Sequence, residues 1–292
     1  MAEQVLQLAS GRRVGVFETG KPNGSAVFYM HGFPSSRLEV KLIEDQAAEA
    51  GVRLIALDRP GIGKSSPVHR FGIMQWPATV DEVADMMAIR RYSVLGFSAG
   101  AAFALACAAA TPDQVVRCVL ISPVAPATVL ATANTGITRL AWQILQITPD
   151  ALLCPLLSFS LRGIAHARPA QLADMLAHNA ERLGVGERAA LQDEAVRRAF
   201  AAAVAEGYIQ GPRANQDQAI ALAHPWGFDL DQIDLPVRIY HGAHDQIMPA
   251  EAARALAAGL RHGTLFMQPE GHISALVRCA APALESLRAE LR

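Results

Sequence analysis

Residues 92–110 read YSVLGFSAGAAFALACAAA, nineteen positions without a charged side chain. Arg90 and Arg91 precede them, so the stretch superficially resembles a membrane span with a positive flank. Its character changes halfway, because the part before Gly96 is rich in strand formers and the alanine-rich part after it favours a helix. A buried strand, a tight turn and a buried helix therefore explain the stretch better than a membrane span does.

Short runs rich in strand formers recur on both sides of this stretch. They alternate with helical patterns of ten or more residues, which indicates βαβ units and a mostly parallel sheet. Two capping-box patterns, Ser36 with Glu39 and Thr79 with Glu82, predict helices that run to about residues 50 and 90. The predicted strands are residues 14–18, 26–30, 52–57, 93–96, 117–121, 237–241 and 263–267.

The alternation of strands and helices stops between residues 127 and 232. This segment has helical patterns at 138–147, 169–183 and 187–206, interrupted by prolines and glycines, and no convincing strand. We therefore predict an α/β core formed by residues 1–126 and 233–292, with residues 127–232 inserted as a helical segment.

The motif at the join of strand and helix, GFSAG at 96–100, has the form G-x-S-x-G. A serine on a sharp strand-to-helix turn has strained backbone angles, and the flanking glycines leave room for neighbouring backbone. A plain turn of glycine and serine would fall at such a join only by chance. Ser98 is therefore the candidate nucleophile.

A serine hydroxyl needs a base, and the base is oriented by a carboxylate. His272 lies between the last predicted strand and the last helix, and Asp245 follows the strand at 237–241. Loops at the carboxyl ends of parallel strands share one edge of the sheet, so both side chains can reach Ser98. We predict His272 as the base and Asp245 as the acid.

Other residues compete for these two roles. His241 and His244 flank Asp245 and are rival bases. Asp231 and Asp234 precede the strand at 237–241, so they belong to the opposite end of the sheet, which argues against either of them as the acid.

Four motifs occur in order along the chain: HGFP at 31–34, DRPGIGKS at 58–65, GFSAG at 96–100, and Asp245 with His272. Together they resemble the α/β-hydrolase superfamily over nearly the whole length. The resemblance implies a mostly parallel eight-stranded sheet with helices on both faces and an α-helical cap over residues 127–232. It also implies that the backbone N–H groups of Phe33 and Ala99 form the oxyanion hole. The run PWGFDL at 225–230 is similar to the return from cap to core in bacterial members.

The predicted function is that of a cofactor-free serine hydrolase, which cleaves small, mostly apolar carboxylic esters through a Ser-His-Asp triad and an acyl-enzyme. Carbon–carbon bond hydrolysis, proline iminopeptidase activity and perhydrolase or haloperoxidase activity use the same triad and stay open. A non-catalytic ligand receptor is the alternative from another class. Four large apolar side chains of the insertion either line the substrate pocket or only pack cap helices together: Trp142, Phe159, Met175 and Trp226.

The amino-acid composition argues against several kinds of binding partner. Lysine and arginine number 26 against 27 acidic residues, which argues against a nucleic-acid partner. The four cysteines lie far apart without a C-x-x-C pair, so neither a disulfide framework nor a metal site is expected. The first eight residues carry Glu3 and no basic region before an apolar run, which predicts a cytoplasmic location. We expect a small-molecule acyl substrate, no membrane partner, and a monomer or homodimer.

Overall fold

The structure is a computed structural model that describes residues 2–133, 147–149, 152–153, 161–180 and 184–288. Its strands are β1 Ala2–Gln7, β2 Arg13–Gly20, β3 Ser25–Met30, β4 Val52–Leu57, β5 Tyr92–Phe97, β6 Val115–Ile121, β7 Val237–Gly242 and β8 Gly263–Gln268. Among the described residues they form one eight-stranded sheet, in the order β1-β2-β4-β3-β5-β6-β7-β8. Within this sheet, β2 runs opposite to all the other strands. The predicted mostly parallel eight-stranded sheet is confirmed.

Helices cover both faces of this sheet, as predicted. One face packs against α2, α3 and α9 in a cluster that includes Trp76 and Phe103. The other packs against α1 and α10 in a cluster that includes Ala47 and Leu276. The bounds are α1 Glu44–Glu49, α2 Trp76–Met86, α3 Gly100–Ala110, α4 Ala127–Ala133, α5 Pro169–Ala180, α6 Val185–Gln192, α7 Glu194–Glu206, α8 Arg213–Ala223, α9 Ala250–Gly259 and α10 His272–Leu287.

The uncharged stretch at 92–110 forms the strand, turn and helix that its composition predicts. All six residues of β5 are buried, and β5 lies in the middle of the sheet between β3 and β6. The helix α3 is buried along residues 100–108. Within the described ranges, no helix is both long enough and apolar enough to cross a bilayer.

Ser36 begins a helical segment that ends near residue 50, as predicted, but the predicted capping box with Glu39 does not form. The Ser36 hydroxyl accepts from the backbone N–H of Leu38 at the start of a 3₁₀ helix, Arg37–Ile43, which precedes α1, whereas the Glu39 side chain is fully buried and bonds elsewhere. The prediction of a helix that starts after Thr79 is wrong. Thr79 lies inside α2, which begins at Trp76 with a proline in its first turn and ends at Met86. A proline at the first helical position suits a helix start, because its missing N–H would have no partner there.

The first strand, β1, is absent from the sequence-based prediction. It lies at the edge of the sheet and pairs only with β2, so its residues alternate between exposed and half-buried. Val5 and the polar residues around it therefore give a weak hydrophobic signal.

Residues 127–232 hold helices α4 to α8, and no strand occurs in their described part. The helix predicted at 187–206 is in fact two, because Asp193 ends α6 and its carboxylate accepts from the N–H of Ala195 at the start of α7. The helix predicted at 138–147 lies outside the described residues except for its last position. The division into core and cap stays a prediction.

A buried ion cluster connects residues 127–232 to the part of the chain that forms the sheet. The Arg37 guanidinium, 1% exposed, lies 2.5 Å from the fully buried Asp58 carboxylate and 2.7 Å from Glu206 of α7, and it also pairs with Glu3 of β1. Burial lowers the pKa of Arg37, but these carboxylates outweigh burial and hold it above its ordinary value. Arg37 is therefore a cation that joins three separate parts of the chain.

We expect Arg37→Met to lower the free energy of unfolding by about 3–5 kcal/mol, because it leaves the buried Asp58 carboxylate without its counter-ion. The matched control is Arg53→Met, since Arg53 pairs with Glu18 where solvent still reaches both side chains. That control should cost at most about 1 kcal/mol. Urea unfolding of both variants measures the difference, and equal losses would contradict the structural role given to Arg37.

Candidate active site

Ser98 lies on the turn between β5 and α3, and its backbone has a φ of +51°. A non-glycine residue rarely adopts this left-handed conformation, and strain of this kind persists only where the surroundings enforce it. The flanking glycines enforce it here. A Cβ on Gly100 would lie 1.9 Å from the carbonyl oxygen of Met30, and one on Gly96 would lie 2.8 Å from the Cα of Ala101.

The structure brings Ser98, His272 and Asp245 together. His272, the first residue of α10, has its Nε2 atom 2.9 Å from Ser98 Oγ. Its Nδ1 atom lies 2.7 Å from Oδ2 of Asp245, in the loop after β7. The three side chains thus form one continuous line of hydrogen bonds at the carboxyl edge of the sheet.

The surroundings of Asp245 keep its carboxylate ionised. Burial raises the pKa of Asp245, but hydrogen bonds from His272 and from the N–H of Met248 outweigh burial and hold it below its ordinary value. The N–H groups of Ile247 and Met248 both donate to Oδ1 at 2.8 Å. An ionised carboxylate only accepts hydrogen bonds, so His272 carries its proton on Nδ1 and offers Nε2 to the Ser98 hydroxyl.

The rival residues lie elsewhere. The Nε2 atom of His241 lies 3.1 Å from the Met248 carbonyl and 3.9 Å from Asp245, whereas His272 contacts Ser98 directly. Asp234 is exposed before β7, where it pairs with the side chains of Arg261 and His262. His244 and Asp231 are also exposed.

The turn at 31–34 follows β3, which pairs with β5 so that Met30 lies opposite Gly96. This register brings the turn beside Ser98. No described residue accepts a hydrogen bond from the backbone N–H of Phe33 or of Ala99. Backbone N–H groups inside a protein are usually paired, so two unpaired donors at one edge of a sheet suit an oxyanion that develops on a bound substrate during the reaction.

Two buried charged residues to which the sequence analysis gave no role at this site hold the turn in place. The Arg59 guanidinium donates to the carbonyl oxygens of His31 and Gly32 at 2.5 and 2.8 Å and lies over the ring of Phe103. The Glu39 carboxylate accepts from the N–H of Gly32 at 2.7 Å. Burial lowers the pKa of Arg59 to about 9 against the opposing effect of Glu39, so the guanidinium stays charged at neutral pH.

Of the four predicted pocket residues, the structure describes Trp226 and Met175. Trp226 is 5% exposed and packs in the core cluster beside α3, with its indole N–H directed at the Leu222 carbonyl. It borders a cavity of about 730 Å³ whose described lining residues include neither Ser98 nor His272. Met175 is exposed on α5. Trp142 and Phe159 lie outside the described residues, and a pocket role for any of the four stays a prediction.

The described ranges contain no group of three or more histidine, cysteine, aspartate or glutamate side chains that could hold a metal ion. The three cysteines in these ranges, Cys107, Cys118 and Cys279, are buried free thiols.

The chain is similar in sequence and structure to known hydrolases and haloperoxidases. The family model for serine aminopeptidase, S33, matches residues 21–271. A non-heme chloroperoxidase of Streptomyces lividans is 26% identical, over 90% of this chain and 94% of the relative. An esterase from Exiguobacterium antarcticum has a TM-score of 0.70 at 20% identity, with 98% of each chain covered. A bromoperoxidase from Bacillus anthracis has a TM-score of 0.69 at 18% identity, covering 98% of this chain and 97% of its own.

We expect Gly100→Ala to lower the free energy of unfolding by at least about 1–3 kcal/mol, because the added Cβ meets backbone that cannot rotate away. The control is Gly163→Ala, in a helical turn where a Cβ meets no atom within 4 Å. There alanine should be neutral or stabilising by up to about 1 kcal/mol. Thermal unfolding tests the pair, and a neutral Gly100→Ala would show that the turn tolerates a side chain.

Proposed function

The chain belongs to the serine aminopeptidase S33 family of α/β-hydrolases, and from that membership we propose that it is a cofactor-free serine esterase acting on small, mostly apolar carboxylic esters. The observation that carries the proposal is the unbroken hydrogen-bonded line from Ser98 through His272 to the ionised Asp245. The unpaired N–H groups of Phe33 and Ala99 beside it support the same reaction.

In the proposed reaction, Ser98 Oγ attacks the ester carbonyl while His272 Nε2 takes the hydroxyl proton. The N–H groups of Phe33 and Ala99 stabilise the oxyanion of the tetrahedral intermediate, and a donor of this kind contributes about 3 kcal/mol in a comparable hydrolase. His272 then gives its proton to the leaving alcohol, which departs from the acyl-enzyme. A water molecule, deprotonated by His272, releases the acid and restores Ser98. Throughout, Asp245 stabilises the imidazolium and holds Nδ1–H.

We propose that residues 127–232 act as a helical cap that restricts access to Ser98. The restriction would favour soluble esters of short to medium acyl chains over emulsified triacylglycerols. The experiment that tests the function is a screen of p-nitrophenyl esters of graded chain length. Short and medium chains should be turned over fastest, and preference for emulsified long-chain lipids would contradict the cap proposal while leaving the triad untouched.

Perhydrolase or haloperoxidase activity is the second candidate, and it is favoured by the similarity to a chloroperoxidase and a bromoperoxidase. In this reaction hydrogen peroxide, in place of water, would attack the acyl-enzyme and release a peracid, which oxidises halide in solution. The same protein assayed with acetate, peroxide and bromide separates the candidates. Bromination faster than ester hydrolysis would make the peracid reaction the main activity.

We expect Ser98→Ala to fold and to lose at least about three orders of magnitude in kcat, because triad residues act as a unit. The control is Ser122→Ala, a serine that is likewise buried and has positive φ, after the neighbouring strand β6. A fluorophosphonate should label the wild type and the Ser122 variant once per chain and leave the Ser98 variant unlabelled. Labelling of Ser98→Ala would show that another residue is the nucleophile.

We expect Asp245→Asn to lower kcat by up to about 10⁴-fold, because an amide no longer selects the Nδ1–H tautomer of His272. Asp234→Asn is the matched control, since this carboxylate lies exposed at the other end of β7. Steady-state kinetics of both variants on one short-chain ester decide the point. The reverse ranking would identify Asp234 as the functional acid.

A further inference from the structure

The inserted segment contacts the base-bearing helix through one carboxylate. Glu187, in the first turn of α6, is 4% exposed and reaches the start of α10. Its Oε1 atom accepts from the N–H of Ile273 at 3.0 Å and its Oε2 atom from the N–H of Ser274 at 2.9 Å. These two N–H groups follow directly after His272.

Glu187 supplies the hydrogen-bond acceptors that the residue before α10 does not provide. The first N–H groups of a helix have no partner within the helix, and a side chain just before it usually accepts from them. Here the residue before the helix is Gly271, which has no side chain to offer. A carboxylate from a distant part of the chain fills the position, where it also interacts favourably with the positive end of the helix dipole.

Glycines before α10 and at the start of α6 leave room for this contact. A Cβ on Gly271 would lie 2.6 Å from Oε2 of Glu187, and a Cβ on Gly186 would lie 2.8 Å from Oε2 of Glu270 and 3.2 Å from its Cα. Leu191 of α6 and Ile273 of α10 also share a small apolar cluster. The start of α6 and the loop before His272 therefore fit closely together.

We infer that Glu187 is a positioning residue for His272: it fixes the first turn of α10 from the inserted segment and so sets the imidazole between Ser98 and Asp245. The inference rests on the proposed function of these three residues. Glu187 is bonded to backbone amides rather than to any of the three, so it acts through the helix that carries the base. The insertion would then contribute to the rate of the reaction as well as to access.

Glu187→Ala should lose roughly 10- to 100-fold in kcat, since a displacement of about 1 Å at a reacting group has that effect. KM should stay within about twofold. Glu187→Gln keeps one acceptor oxygen for the two N–H groups, so it should recover most of the kcat.

Asp193→Ala is the control for the effects of Glu187→Ala on kcat and KM. Asp193 is likewise a carboxylate of the insertion that accepts at a helix start, but that helix is α7 and not the helix of His272. Its loss should cost about 0.5–2 kcal/mol of stability and leave kcat and KM unchanged. If Asp193→Ala lowers kcat as much as Glu187→Ala, the effect of Glu187 is general destabilisation and the inference fails.

The closing experiment is the rate at which a fluorophosphonate labels Ser98 in the wild type, Glu187→Ala, Glu187→Gln and Asp193→Ala, each checked for folding by circular dichroism. Slow labelling of Glu187→Ala alone, with most of the rate restored in Glu187→Gln, supports the inference. Labelling of all four at one rate overturns it while the proposed function stands. A wild type that does not label at all overturns the proposed function instead. Should Glu187→Ala not fold, Glu187→Asp decides, because its shorter side chain withdraws the carboxylate from the two N–H groups, and labelling of that variant at the wild-type rate overturns the inference.

Discussion

The left-handed backbone at Ser98 is the constraint on which the rest of the site depends. This conformation exists because β5 ends in the middle of the sheet and α3 begins at once, so the chain must turn within two residues. The turn is possible only with glycines at 96 and 100, where the backbone of β3 and α3 comes too close for a Cβ. The same closeness sets the turn at 31–34 beside Ser98. One steric requirement thus brings Ser98 and the turn at 31–34 together.

Residues 127–232 are connected to the rest of the chain by buried polar contacts as well as by apolar packing. Glu206 reaches Arg37 in the ion cluster, and Gln218 of α8 accepts from Arg59, which in turn holds the turn at 31–34. Glu187 reaches the start of α10. Buried polar pairs are costly when incomplete, so such contacts favour one arrangement of these helices on the sheet.

Much of the site could be predicted from the sequence because its signals are local. The glycines at 96 and 100, the strand before Ser98 and the helix after it are contiguous, and parallel strands bring the loops of Asp245 and His272 to the same edge. Other features of the site could not be predicted from local patterns, because they depend on contacts between residues far apart in the sequence. Glu39 matched a capping box, yet it bonds with Tyr29 and Gly32 instead, and Glu187 meets a helix 86 residues away. One missed feature did have a local signal: the proline at 77 marks the start of α2 better than Thr79 does.

The most direct test of this account is the structure of the protein after inactivation by a phosphonate ester, which mimics the tetrahedral intermediate. We predict a covalent bond from phosphorus to Ser98 Oγ, with the phosphoryl oxygen roughly 2.7–3.1 Å from the N–H groups of both Phe33 and Ala99. Phosphorus bound to any other residue, or a phosphoryl oxygen turned away from both N–H groups, would contradict it.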